Sequence, residues 1–585
     1  MYYDLGSYSR PVATSSAAAQ EWFDRGLVWA YAFNHEEAVA CFERSLEENP
    51  DHWAGHWGIA YAVGPNYNKG WDAFDPMDLT ASLDRARSEV RLAREALQRD
   101  SSGADSPASE PAAALVAALA GRYADVTVDD PQTWQAGHEA YADAMLRAAD
   151  AFPHDLDVLA LAADALVNVT AWALWDPLTG EPAPGSRARD AERLLNAALA
   201  LPGGDRHPFV LHLHIHLLEM SERPEAALPS ADRLRGLVPD AGHLQHMPSH
   251  IDVLCGDYHS AITANQQAVQ ADRRFVERAG PFNFYSLYRA HDLHFIVYAA
   301  MFLGRYSDAI AAADELSAQL TPELLRIESP PMADWLEAFV PLRTHVLVRF
   351  GRWAQLVDEP LPEDQRLYCA TTAMVLYGRA VAHAALGNVA AAEATREEFV
   401  QAVASVPDSR YLFNNTALDI LAIAGAMLDG EIAYRKGEFE EAFERLQEAI
   451  ALDDALPYDE PWGWMQPTRH AYGALLLEQG RVAEAAAVYA ADLGLDPAVS
   501  RSVHHPGNVW SLHGYHECLV RLGRDDEARV VAQQLAIASA RADVPILASC
   551  ACRLDVLGST ATNLQPASGR GCGPDCGCEH CRSAH

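Results

Sequence analysis

Apolar and small residues fall in helical patterns along most of the chain. Alanine is abundant and the Val, Ile and Thr alternation that strands need is scarce, so the sequence predicts helices. The breaks between helices repeat. A Gly-x4-Ala step recurs at Gly256 to Ala261, Gly304 to Ala309, Gly387 to Ala392, Gly437 to Ala442, Gly480 to Ala485 and Gly523 to Ala528. Glycine permits a tight turn and alanine lets two helices approach closely, so each step predicts a helix–turn–helix pair with its second helix starting near the alanine. A first unit reads from Trp22 and Gly26 through Ala38 and Phe42 to Pro50. A less regular one ends at Pro153, with Tyr141 where the alanine would stand, and another centres on Ala227 with Pro239. About nine units can be read in this way.

This grammar resembles the tetratricopeptide repeat superfamily over most of residues 15 to 540. The resemblance implies an all-α fold, a helix–turn–helix superhelix whose units contact only their neighbours and whose first helices line the concave face. Residues 1–98 are read as N-terminal repeats and 112–557 as the continuing superhelix, separated by a polar loop at 99–111, RDSSGADSPASEP. Two further insertions break the pattern: WALWDPLTGEPAPGSRA at 172–188, and one that includes PFNFYSLY at Pro281 to Tyr288. Aromatic insertions of this kind either roof a groove or fill a packing gap. Residues 558–585 lose the repeat and read as a flexible tail.

The histidines between 207 and 298 keep the period of the fold. The chain reads HLHIHLLE from His212 to Glu219, HLQHMPSH from His243 to His250, and HDLH from His291 to His294. His212 and His246 are 34 residues apart, as are His216 and His250. With the alanine that starts the second helix set as position 20, His212, His246 and His294 share position 5, His216 and His250 share position 9 with Tyr298, and His243 and His291 share position 2. Positions 5 and 9 are one turn apart on a single helix face, so His212/His216 and His246/His250 form adjacent clamps, with Glu219 on the same face. Stacked neutral imidazoles without a partner are costly to bury, which points to a metal. Imidazole suits Zn, Cu, Fe and Ni. The expected ligands are His212, His216, His243, His246, His250, His291 and His294, with Glu219 as ligand or general base and Tyr298 or Tyr288 beside a bound water. His214 is off the register and is excluded. His345, His470, His513, Glu431 and Glu517 occupy similar positions in other units and read as ordinary groove polars; His35 reads as a turn residue.

FNHEEA (Phe33 to Ala38), GPNYN within Trp57 to Trp71, HMPSH and YDEPWGWMQPTRHAYGALL (Tyr458 to Leu476) together resemble a group of bacterial tetratricopeptide proteins. That likeness carries no activity over. The tail GCGPDCGCEHCRSAH sets Cys572, Cys576, Cys578 and Cys581 too close for unstrained disulfides. It resembles a fragment of a small bacterial metallothionein and suits Cu(I) or Zn, with Cys550 and Cys552 as candidates to join it.

At 585 residues and net charge −37, the chain has no basic patch, so nucleic acid is not an expected partner. No apolar run approaches a membrane span and the first residues lack the pattern of a signal peptide, so a cytoplasmic location is expected. There is no Ser–His–Asp pattern, P-loop or GxGxxG at a strand–helix junction, and only metal chemistry is on offer. The leading reading is a transition-metal oxidoreductase that uses dioxygen, with Cu or Fe favoured over Zn, acting on a small molecule or peptide in the groove. A Zn hydrolase, a peptide- or protein-binding scaffold and a metal-buffering protein are the alternatives.

Overall fold

The computed structural model describes residues 2–101 and 109–554. The expected all-α superhelix is what these residues form. Antiparallel helix pairs follow one another from Ala17–Tyr31 to Asp525–Ser539, and the only strands among the described residues are the two-residue pair Tyr411–Leu412 and Asn415–Thr416. The site is carried by α1 (Ala17–Tyr31), α2 (His35–Glu48), α3 (Trp53–Ala62), α4 (Pro208–Glu219), α5 (Gly242–His246), α6 (Pro248–Leu254), α7 (Tyr258–Ala279) and α8 (Ser286–Leu303).

The turn chemistry is as the sequence implies. Gly304 ends α8 at φ +70° and Gly437 ends Ala417–Lys436 at φ +83°, left-handed positions that a side chain would strain. Close approach explains a second set of glycines. A Cβ on Gly26 of α1 would sit 2.5 Å from the Phe42 ring, and one on Gly58 of α3 would sit 2.6 Å from it. The first helices of two successive units thus clasp an aromatic ring on the helix between them, which fixes their separation. The 99–111 loop is shorter than expected. The helix Pro76–Ser101 continues into it, because no breaker occurs before Gly103, and the next helix begins at Ser109, where Pro111 is tolerated in the first turn. The tail with Cys572, Cys576, Cys578 and Cys581 lies outside the described residues. Cys550 and Cys552 are joined to each other as a disulfide.

The inner wall is not an open groove. Every residue of α4 is buried, His212, His214, His216 and Glu219 included. The turn at Phe33, the loop residue Tyr67 and the Trp172 excursion cover it: Phe33 stacks 5.7 Å from His216, Tyr67 lies 4.6 Å from it and Trp172 lies 6.2 Å from it. Trp175 holds the excursion in place by donating Nε1–H to the Leu217 carbonyl at 2.6 Å. From the other end of the chain, Tyr458, Glu460, Trp462, Trp464 and Met465 are buried in the interior as well. The insertions therefore roof the site. None of the described helices is long and apolar enough to cross a membrane.

Candidate metal centre

Two histidine triads face each other across the junction of α4 with α5, α6 and α8. Ligand atoms of His212, His216 and His243 all lie within 4.8 Å of one another, and so do those of His246, His250 and His291. Ring centroids within the first triad are 4.8 to 6.2 Å apart, and within the second 4.5 to 5.7 Å. The triads touch: His243 stacks 5.6 Å from His246, and His216 lies 5.8 Å from His250. The position-2 residues His243 and His291 complete the two groups, so the arrangement is three and three rather than the quartet of His212, His216, His246 and His250.

Each anchored imidazole is held by its outer nitrogen. His212 Nδ1 donates to the Tyr31 carbonyl at 2.7 Å, and His216 Nδ1 to Glu219 Oε1 at 3.0 Å. His250 Nδ1 donates to Glu219 Oε2 at 2.6 Å. His246 Nδ1 donates to Asn265 Oδ1 at 2.7 Å, and the Asn265 amide is oriented for this because its Nδ2 donates to Ala261 O. Fixing Nδ1–H in this way leaves Nε2 as a bare lone pair directed inward, the tautomer a metal ligand needs. His212 Nε2 and His216 Nε2 have no hydrogen-bond partner, and neither nitrogen of His243 has one. The sharpest geometry is in the second triad, where His246 Nε2 and His250 Nε2 stand 2.8 Å apart. With both Nδ1 atoms donating elsewhere, two lone pairs point at each other. Desolvation pushes the pKa of His216, His246 and His250 down to about 3, so a shared proton does not answer that repulsion at neutral pH.

Glu219 acts from behind the imidazoles. Its two oxygens take one proton each from His216 and His250, one in each triad, and burial raises its pKa while the His250 contact opposes the rise. It orients both rings and sets negative charge behind them, a role the sequence offered only as ligand or base. The surroundings are apolar. Phe33 lies 4.5 Å from His212, Phe295 is 4.7 Å from His246, and Phe413, at the tip of the short hairpin, is 4.6 Å from His291. Phe33 sits at φ +57°, an unusual backbone for a bulky residue, and its ring is what closes the first triad.

Other expected residues fall elsewhere. His294 is outside both triads; its Nε2 faces Met465 Sδ at 2.9 Å. Tyr298 packs on Phe302 at 4.6 Å and faces His505 at 6.5 Å, one turn too far along α8 to reach either triad. Tyr288 stands where an aromatic neighbour was expected, 4.7 Å edge-on to His243. His214 bonds Ser230 Oγ at 2.9 Å on the opposite face, consistent with its exclusion. His470 belongs to a satisfied polar knot, between Asp492 Oδ2 at 2.9 Å and Arg349 at 2.8 Å, and Glu431 and Glu517 pair with arginines. His345 packs against Trp464 at 5.1 Å. The N-cap of α2 is Asn34, one residue before His35. Sequence reasoning missed Tyr31, Asn265, Phe295, Phe413 and Met465. Phe33, Tyr67 and Met465 carried a signal, since they lie in the FNHEEA, GPNYN and YDEPWGWMQPTRHAYGALL motifs.

The buried imidazoles make a pH expectation for metal-free protein. Their folded pKa values lie below the unfolded value of 6.5, so between those limits the unfolded chain binds more protons. Their contribution is fully present above pH 6.5 and is lost as pH falls toward 3, by up to about 1.4 kcal/mol per pH unit for each histidine. Chelator-treated protein should therefore melt at progressively lower temperature from pH 7 to pH 5, followed by circular dichroism.

One family match supports the repeat at the start of the chain. The tetratricopeptide repeat family matches residues 19–52, which span α1 and α2. No curated protein matches the chain. Among solved structures the chain is similar to Ypp1, with 10% identity, 92% of this chain and 89% of that chain covered, and a TM-score of 0.44. It is also similar to yeast Tom70 at 11% identity, covering 89% and 93%, with a TM-score of 0.28. The human IFIT1 dimer with m7Gppp-AAAA gives 11% identity, 90% and 92% coverage and a TM-score of 0.28. The protein is an all-α superhelix of the tetratricopeptide type.

Proposed function

We propose that the protein is a dioxygen-dependent oxidoreductase built on a pair of copper ions, one in each histidine triad. The observation that carries this reading is the inward-facing set of unpartnered nitrogens, above all the 2.8 Å approach of His246 Nε2 and His250 Nε2. A cation between two lone pairs turns a buried repulsion into two bonds. Two nitrogens each about 2 Å from one ion stand at most about 4 Å apart, and the ligand atoms of each triad already lie within 4.8 Å of one another. The donor set selects among metals. Neutral imidazoles alone, three to an ion, suit copper, which heads the affinity order for such sites. Non-haem iron sites add a carboxylate, and here Glu219 is spent on Nδ1 protons; a structural zinc site would want a fourth ligand.

Ions held by His212, His216 and His243 and by His246, His250 and His291 would supply two-electron chemistry toward dioxygen. The chain's own contribution is to hold four of the six imidazoles, His212, His216, His246 and His250, in one tautomer, to place Glu219 between the triads, and to keep bulk water out with Phe33, Phe295, Tyr67 and Phe413. A tetratricopeptide superhelix is also the architecture of a protein-binding scaffold, and the family match over residues 19–52 supports that as a second reading. The inner groove, however, is filled by the chain's own residues Tyr458 to Met465, which leaves outer surfaces for a partner.

The test is metal content and spectroscopy of untagged protein. Near two copper ions per chain, with a copper(II) electron-paramagnetic signal weakened by coupling between the pair, is the expected result. Protein that takes up no copper when reconstituted, or one uncoupled ion only, would leave the scaffold reading.

A further inference from the structure

We propose that the cavity beside His243 binds a small monocyclic diphenol and that this is the reducing substrate of the centre. The binding site stands on its own geometry; the fate of the ligand rests on the oxidoreductase reading. The cavity holds about 180 Å3, room for one substituted ring. It lies between the α1–α2 turn with the start of α2 (33–39), the stretch from Ala62 to Lys69, the following segment at Phe74, Asp78 and Ser82, and the insertion from Phe284 to Tyr288. Three of its lining residues reach the first triad. Phe33 stacks 5.6 Å from His243, Tyr288 meets the same ring edge-on at 4.7 Å, and Tyr285 Oη accepts the His243 backbone N–H at 3.0 Å. Glu36, at the mouth, is exposed, whereas Phe33 and Tyr288 at the floor are buried. The cavity therefore runs from solvent to an aromatic partition with His243 on its far side.

Its chemistry selects the ligand. Phe33, Phe74, Phe284 and Tyr288 supply flat apolar walls for a ring. Asn34 supplies a directed donor. Its Oδ1 caps α2 by accepting the Glu37 N–H at 3.3 Å, so Nδ2 points away from the helix, is buried and has no partner. A buried N–H in that state calls for an oxygen acceptor. Lys69 is already engaged, 2.8 Å from Asp78 and over the Phe74 ring at 3.8 Å, so with Glu36 the lining carries no spare positive charge for an anion. A neutral hydroxylated ring answers all of these features. A diphenol also fits the pair of ions. It gives up two electrons and two protons at once and leaves as a quinone. Two diphenols and one dioxygen yield two quinones and two waters, with no other reductant.

The experiment is calorimetric titration of 4-methylcatechol, without oxygen, into chelator-treated protein, alongside Asn34→Asp and Val39→Trp. Aspartate keeps the helix cap and removes the donor; tryptophan fills the cavity from α2. Expected are saturable binding to the wild type, about tenfold weaker binding to N34D and none to V39W, with the circular dichroism of all three alike. No saturable binding by the wild type at millimolar ligand, or equal binding by the well-folded variants, overturns the site. Diphenol binding by a protein that takes up no copper supports the site and overturns the oxidoreductase reading instead.

Discussion

Replacing His246 by alanine is expected to take copper from near two ions per chain to one or fewer, by elemental analysis, with helicity unchanged. His246 is the residue on which the second triad turns. Its Nε2 lies 2.8 Å from His250 Nε2, and its ring is 4.5 Å from His291 and 5.6 Å from His243 of the other triad. Alanine leaves an ion there with two imidazoles and an unpaired Asn265 oxygen, and also removes the repulsion that an ion would relieve. The metal-free variant should therefore be no less stable than metal-free wild type by more than the packing lost around one ring. Oxygen uptake should fall by more than about 100-fold, because losing a ligand exceeds the 10- to 100-fold cost typical of losing a group that merely supports one. Copper still at two per chain would mean that the triads are a polar wall and not a ligand set.

Substituting Glu219 by glutamine should weaken both ions at once, although Glu219 is not expected to touch either. The carboxylate accepts from His216 Nδ1 and His250 Nδ1 simultaneously. Glutamine offers one oxygen and one NH2, so one of the two imidazoles meets a donor and must move its own proton to Nε2, the atom required for the metal. Copper affinity measured by competition with a chelator should drop by about 10- to 100-fold. The melting temperature of the metal-free variant should stay level or rise, since a buried carboxylate is replaced by a neutral group of the same shape. A metal-free protein that unfolds on this change would make Glu219 a structural residue only.

The architecture was readable because its cause is periodic. The Gly-x4-Ala steps and the 34-residue spacing of His212 with His246 follow from local turn chemistry and from stacking, and both survive in the linear chain. The position-2 histidines were readable for the same reason. What was not readable depends on contacts between distant segments. Tyr31 offers a backbone carbonyl, which any residue could supply. Asn265 lies on the second helix of its unit, where nothing in sequence marks a neighbour of His246. Phe413 and Met465 arrive from well over a hundred residues away. Tyr298 shows the opposite error: it shares position 9 with His216 and His250, but α8 meets the C-terminal repeats at that level, so its ring goes to Phe302 and His505. Register predicts a direction and leaves open which layer of the coil occupies it.

The stretch from Tyr458 to Met465 also bears on time. His212, His216, His246 and His250 are at most 1% exposed, and Met465 closes over the far end beside His294. Dioxygen is small enough to slip past such a lining, but an ion with its hydration shell is not. Entry or escape of metal then requires the coil to unwind far enough to withdraw that stretch, so the residence time of the ions is governed by the stiffness of a spring made of stacked helix pairs. Loading and stripping of the folded protein both proceed at the pace of unwinding, however tightly a chelator binds, so reconstitution and chelator competition come to equilibrium only on that slow clock.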